Sequence, residues 1–219
     1  MWWLMALLSR LRRHREPSSP SRRSRAREAG ATLVEAAFIT PVFFLLIFGV
    51  IEVGGAYRDK LTVSNAVTAG ARTGSAAADD SYADYNILQS IKKAVSAGDG
   101  TLVRIVVFKA SGPDGVPSDL CKAGSAQSGD SNRVGACNVY TPASFAEPKT
   151  KFGCQAAYNL DRYYCPTSRK VALSAATGGP PDIVGVWITL THRYYTGFLG
   201  RSTSVITDQA VITVEARRL

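Results

Sequence analysis

The sequence predicts an α+β chain in which one N-terminal helix crosses a membrane and continues outward into a domain built on a small antiparallel β-sheet with disulfide-bearing loops. Three observations carry this. Residues 31–51 are an apolar run, the later part of the chain holds strand-like segments, and all four cysteines lie in one Gly-, Pro- and Ser-rich stretch. The expected organisation is a basic cytoplasmic leader over 1–30, a transmembrane and extended helix over 31–73 with its span at about 31–51, and an extracytoplasmic domain over 74–219.

Ala31 to Ile51 reads ATLVEAAFITPVFFLLIFGVI, with Glu35 as its single ionisable residue. As a helix rising about 1.5 Å per residue it covers about 31 Å, close to the thickness of a bilayer core. Phe and Leu fall on every side, which leaves no polar face for water and argues against a buried helix of a soluble protein. Residues 1–30 hold eight Arg and two Glu, so most of the chain's net charge of +9 sits before the span. Arg58 and Lys60 beyond the span are offset by Glu52 and Asp59. The cation excess puts the N-terminus in the cytoplasm and everything after about Glu52 outside, as a single-pass protein of the cell membrane. MWWLMALL is too short to span and reads equally as an interfacial anchor or as the apolar start of a leader. The Pro17 to Pro20 stretch is a flexible break. A secretory signal with a cleavage site near Gly54 to Ala56 is the alternative for the apolar run, but it leaves Glu35 unexplained.

A carboxylate inside an apolar helix costs about 2.5–3.5 kcal/mol, so it calls for an interface or a partner charge. Glu35 lies five residues after Gly30, where the basic stretch ends and the apolar run begins. This spacing resembles the processing site of type IV prepilins, whose leader is cut after a Gly at the cytoplasmic face. A cut here falls between Gly30 and Ala31. The freed amino group of one subunit and the Glu35 carboxylate of a neighbour would attract strongly once both leave water. Snorkelling of Glu35 to the headgroups is the competing reading.

The stretch from Arg27 to Arg72, with Gly30, Val34, Glu35, Ala36, Pro41, Gly49, Glu52, Gly54, Ala71 and Arg72 in order, resembles the TadE-like family of bitopic pseudopilin-like proteins. The resemblance implies a pilin-like outer domain. It also implies a structural role in a tight-adherence, or Flp, pilus, with the membrane, other pilin-like subunits, the assembly machinery and a prepilin peptidase as partners. Ala31 departs from the Phe common after the cut in type IV pilins, and Ala36 and Ala37 follow Glu35 where a bulkier residue is usual.

Beyond the span, Leu61, Val63, Ala66, Val67, Ala69 and Gly70 keep near-helical spacing, so one helix from about Ala31 to Thr73 is expected, with a kink at Pro41. Gly49, Gly54 and Gly55 thin one side of it, reading equally as an assembly face or as the ordinary Gly content of membrane helices. Arg72 is expected at the helix's outer end, where a cation favours the dipole. Ser81 to Ala97 is a second helix, with Tyr85, Leu88, Ile91 and Val95 on one face, Asp80 or Ser81 as cap and Gly98 as stop. Strands are expected at Leu102–Lys109, Ile183–Tyr194 and Ser202–Glu215, the last two joined as a hairpin around Gly197 to Gly200. Of the three connectivities open to Cys121, Cys137, Cys154 and Cys165, pairing of Cys121 with Cys137 and of Cys154 with Cys165 is favoured.

No catalytic constellation is visible. His14 lies in the leader, and His192 reads as a strand-surface residue. Asp161, Tyr163 and Tyr164 read as loop packing or a contact patch. The chain holds no G-x-S-x-G, P-loop or H-E-x-x-H pattern, and the Gly pairs at 54–55 and 178–179 lack phosphate-cradle context. No cysteine pair has C-x-x-C spacing, which argues against zinc. The positive charges beyond the span form no stripe with interleaved aromatics, which argues against nucleic acid. The expected protein is not an enzyme and takes no cofactor, metal or small-molecule substrate. An uncleaved membrane-anchored binding or adhesion protein is the second reading.

Overall fold

The computed structural model describes residues 22–128, 134–171, 179–197 and 200–215. The leader before Arg22, with MWWLMALL, His14 and the Pro17 to Pro20 break, lies outside the described residues, as do Gly178 and two residues of the hairpin turn. Element order is α1 (Arg22–Ala77), α2 (Ala83–Val95), β1 (Thr101–Lys109), α3 (Asp119–Ala123), β2 (Cys137–Tyr140), β3 (Ile183–Arg193) and β4 (Thr203–Thr213). Two compact units divide between Ile47 and Phe48.

In the first unit, residues 30–47 of α1 are exposed throughout. Gly30 to Ala77 holds a stretch long and apolar enough to cross a membrane. Exposed Leu33, Phe38, Phe43 and Leu46 are what lipid, rather than water, solvates at no cost.

In the second unit the four strands form one antiparallel sheet in the order β2-β1-β3-β4. Alternation sets its two faces. Ile105, Val107, Val184, Val186, Ile188 and Leu190 point to α1 and α2, meeting Val63, Ala66, Val67, Ala71, Ile87, Leu88 and Ile91 in the main core. Val106 and Phe108 point the other way, packing with Cys121, Cys137 and Trp187. Phe108 stands directly opposite Gly185. A Cβ on Gly185 would come within 2.2 Å of the Phe108 ring, so the glycine is what lets that ring lie flat on β3.

The sequence expectation of α+β architecture, with a small antiparallel sheet after an apolar helix, holds. Three details differ. α1 runs on to Ala77, so Arg72 is not in its last turn and does not serve the helix terminus. α2 is shorter than expected and begins after Tyr82, although Asp80 does accept a hydrogen bond from the Tyr82 N–H at 2.7 Å. β2 was not expected: its four residues extend the sheet by pairing Cys137–Tyr140 with Phe108–Ile105.

Two disulfides, Cys121–Cys137 and Cys154–Cys165, each join cysteines near one another in the chain. The first ties α3 to β2, and the second closes the loop leading to β3. Side chains of α1 occupy backbone carbonyls of the edge strand β4: Lys60 Nζ donates to Thr207 O at 2.9 Å and Ser75 Oγ to Thr213 O at 2.7 Å. Engaged carbonyls make a poor template for strand addition.

Gly185→Ala is expected to destabilise the domain by about 1–3 kcal/mol through overpacking. Phe108→Leu in the same chain should recover part of that loss, as a double-mutant cycle by chemical denaturation would show.

Candidate functional site

Glu52, the first residue after the apolar run, has no exposed surface. Its helix position turns the side chain toward the turn between β3 and β4, and that turn closes over it. Tyr195 N–H donates to Oε2 at 2.9 Å, Gly197 N–H donates to Oε1 at 3.1 Å, and both the N–H and the hydroxyl of Thr196 also donate to Oε1. Four donors converge on one carboxylate, the arrangement that makes burying a charge tolerable.

Two turns further along α1, Asp59 is buried in the same way. Its Oδ2 lies 2.7 Å from His192 Nδ1 on β3, and its Oδ1 accepts the N–H groups of Asp99 and Gly100 at 3.1 and 3.2 Å. Asp99 in turn accepts from the Tyr195 hydroxyl at 2.9 Å and from Arg58 at 3.1 Å. Glu52, Asp59, Asp99 and His192 thus join α1, the loop after α2 and the hairpin turn into one polar cluster. His192 is not a strand-surface residue. It shares the inward face with Leu190 and Ile188, and its ring is 1% exposed.

The same cluster corrects the reading of the glycines. Gly55 lies beneath the Tyr195 ring, where a Cβ would stand 3.1 Å from it, so this glycine serves the hairpin and not an assembly face. Gly49 and Gly54 have open space around them.

A second buried polar group lies in the cysteine region. Asp84 on α2 accepts from Asn138 Nδ2 at 2.8 Å, from the Tyr140 hydroxyl at 2.6 Å and from Arg169. Asn138 bonds the backbone of Tyr163 and Tyr164, so β2 and the loop before β3 are fastened to α2. Burial opposes the Arg169 charge, but Asp84, Tyr164 and Tyr140 around it together outweigh that and raise the guanidinium above its ordinary value. Burial, with the Asp84 charge, pushes the Tyr140 hydroxyl well up, so it stays a donor. Asp161 grips the N–H groups of Gly153 and Cys154 at 2.7 and 3.1 Å, and burial raises its carboxyl against the pull of those bonds. Asp161 and Tyr164 are therefore packed into the loop, each fully buried.

Gly30, Ala31 and Glu35 all lie on α1, exposed and within two turns of one another. Residues 31 and 35 share a face, one turn apart. Among the described residues no group of three His, Cys, Asp or Glu side chains converges as a metal site would.

Comparison with known families bears on this helix. The family model described as TadE-like protein matches residues 30–72. That segment is TadE-like. The match begins at Gly30, includes Glu35, Glu52 and Asp59, and lies wholly within α1. The TadE-like family is pilus-associated and structural, not known for enzymatic activity. No curated protein and no solved structure matches the chain. Sequence reading placed Glu52 in the TadE-like motif but assigned it no task. Its contacts with the hairpin turn, more than 140 residues away, supply one. Asp84 and Arg169 were missed altogether, and the only available sign was a charge next to the apolar face of an amphipathic helix.

Two substitutions test these clusters. Arg169→Ala leaves Asp84 buried without its cation and is expected to cost about 3–5 kcal/mol, measurable by denaturant unfolding. Glu52→Gln places an amide N–H₂ among donors. It should raise hydrogen exchange at Tyr195, Thr196 and Gly197 by roughly tenfold or more while leaving β1 protected, since bonds to a charged acceptor are worth about 1.5–3 kcal/mol each.

Proposed function

We propose that this chain is a TadE-like minor pilin or pseudopilin, a non-enzymatic structural component in assembly of a tight-adherence (Flp, type IV-like) pilus or a related secretion apparatus. The observation that carries the reading is Glu35 at the fifth position after Gly30, on an apolar helix whose residues 30–72 match the TadE-like family. Gly30 and Ala31 form the site at which a prepilin peptidase cuts. Glu35 then receives the new amino group of a neighbouring pilin-like subunit, because unlike charges attract most where water is excluded.

Exposed apolar residues continue past the span on one side of α1. Val50, Val53, Tyr57 and Leu61 follow at three- and four-residue spacing, with Gly54 beside them in open space. This stripe carries helix-to-helix packing beyond the bilayer. The N-terminus faces the cytoplasm, in keeping with the Arg-rich leader. The domain from about residue 74 lies outside, where an oxidising compartment suits two disulfides.

Mass spectrometry of the membrane-extracted protein is expected to find its N-terminus at Ala31. An intact leader would instead identify an uncleaved, single-pass membrane-anchored binding or adhesion protein. Glu35→Gln should reduce surface pili at least tenfold while the protein still inserts and fractionates with membranes. Unchanged piliation would exclude the pairing.

A further inference from the structure

We infer that Tyr195, Thr196 and Gly197, in the turn after β3, rest on the phospholipid headgroup layer of the membrane that α1 crosses. The inference depends on the membrane-span reading proposed above and extends it to a part of the chain that the TadE-like match does not reach. Phe48 to Ile51, the last turn of the apolar run, belong to the same compact unit as the sheet. Glu52 follows directly, and its carboxylate holds the N–H groups of Tyr195, Thr196 and Gly197. Those three turn residues are therefore held beside Glu52, directly after the apolar run.

The chemistry of the surface suits that height. Tyr195 is 59% exposed. Tyrosine combines an apolar ring with a polar edge and is favoured at the boundary between hydrocarbon and water. Arg193 and Arg201, exposed on either side of the turn, offer guanidinium groups for lipid phosphate. An aromatic, cationic surface is thus fixed beside the exit of an apolar helix. Tyr158, equally exposed, provides a contrast: it shares a cleft with Tyr82, which follows the other end of α1, roughly 37 Å along the helix from Glu52.

The test uses the full chain reconstituted in vesicles of phosphatidylcholine and phosphatidylglycerol, a fraction of the lipid being brominated on its acyl chains near the headgroup. Tryptophan reporters are introduced singly into a Trp2→Phe, Trp3→Phe, Trp187→Phe background at three places: Phe43→Trp, Tyr195→Trp and Tyr158→Trp. The expected result is strong quenching for Phe43→Trp, clear quenching for Tyr195→Trp and at least threefold weaker quenching for Tyr158→Trp. Adding Glu52→Gln should bring Tyr195→Trp down toward Tyr158→Trp without changing Phe43→Trp. If Phe43→Trp is quenched and Tyr195→Trp is no more quenched than Tyr158→Trp, the hairpin does not touch lipid and this inference alone is overturned. If Phe43→Trp is not quenched either, the membrane span itself is refuted and the inference falls with it.

Discussion

A carboxylate with no exposed surface must have its acceptor sites filled, and Glu52 fills its own from a single turn of backbone at the far end of the chain. That requirement shapes the outer domain. To bring the turn over the carboxylate, β3 must run the length of the sheet and leave it beside the start of the domain's helix. β4 must then return along the edge, where Lys60 and Ser75 of α1 meet it. Gly55 has to be small because the Tyr195 ring follows the turn into place. Asp59 repeats the device one step deeper, fixing His192 and the loop that leads into β1. The helix thus behaves as two different objects along its length. Residues 30–47 are exposed on every side, whereas from Glu52 onward one side is buried and carries carboxyl side chains.

The second buried charge cluster does for the cysteine loops what Glu52 does for the hairpin. A region rich in Gly, Pro and Ser buries few large apolar side chains, Phe152 and Tyr164 among them, and polar contacts and cross-links add to its order. Asp84, Arg169 and Asn138 bind it to α2 and β2, while Asp161 fixes the bend around Gly153 and Cys154. The cation of Lys149 over the Tyr82 ring adds a surface contact to the same elements. Both clusters are buried, and their carboxylates are filled by donors from distant parts of the chain. Each is a fastening between elements far apart in the sequence.

Much of the architecture was legible because period and composition are local properties. The apolar run, the helical spacing that follows it and the period-two strands β1, β3 and β4 could each be read from neighbouring residues. β2 was not, since four residues are too few to show alternation and its order depends on pairing with β1 and on Cys137. Asp84 and Arg169 are 85 positions apart, and nothing in either segment announces the other. His192 could have been placed correctly. It continues the inward set of Val184, Val186, Ile188 and Leu190, and the same alternation that identified the strand puts it opposite the helix. Glu52 was visible only as one letter of a family pattern, because the reason for it lies in the fold.

The cross-links have a consequence for biogenesis. Cys121 meets Cys137 and Cys154 meets Cys165, so the pairs are consecutive and never interleaved along the polypeptide. A chain threaded through a translocation channel from its amino end delivers the two members of the first pair before either member of the second emerges. Under the proposed export of this domain, thiols oxidised in order of arrival pair as Cys121–Cys137 and Cys154–Cys165, with no exchange between the two loops.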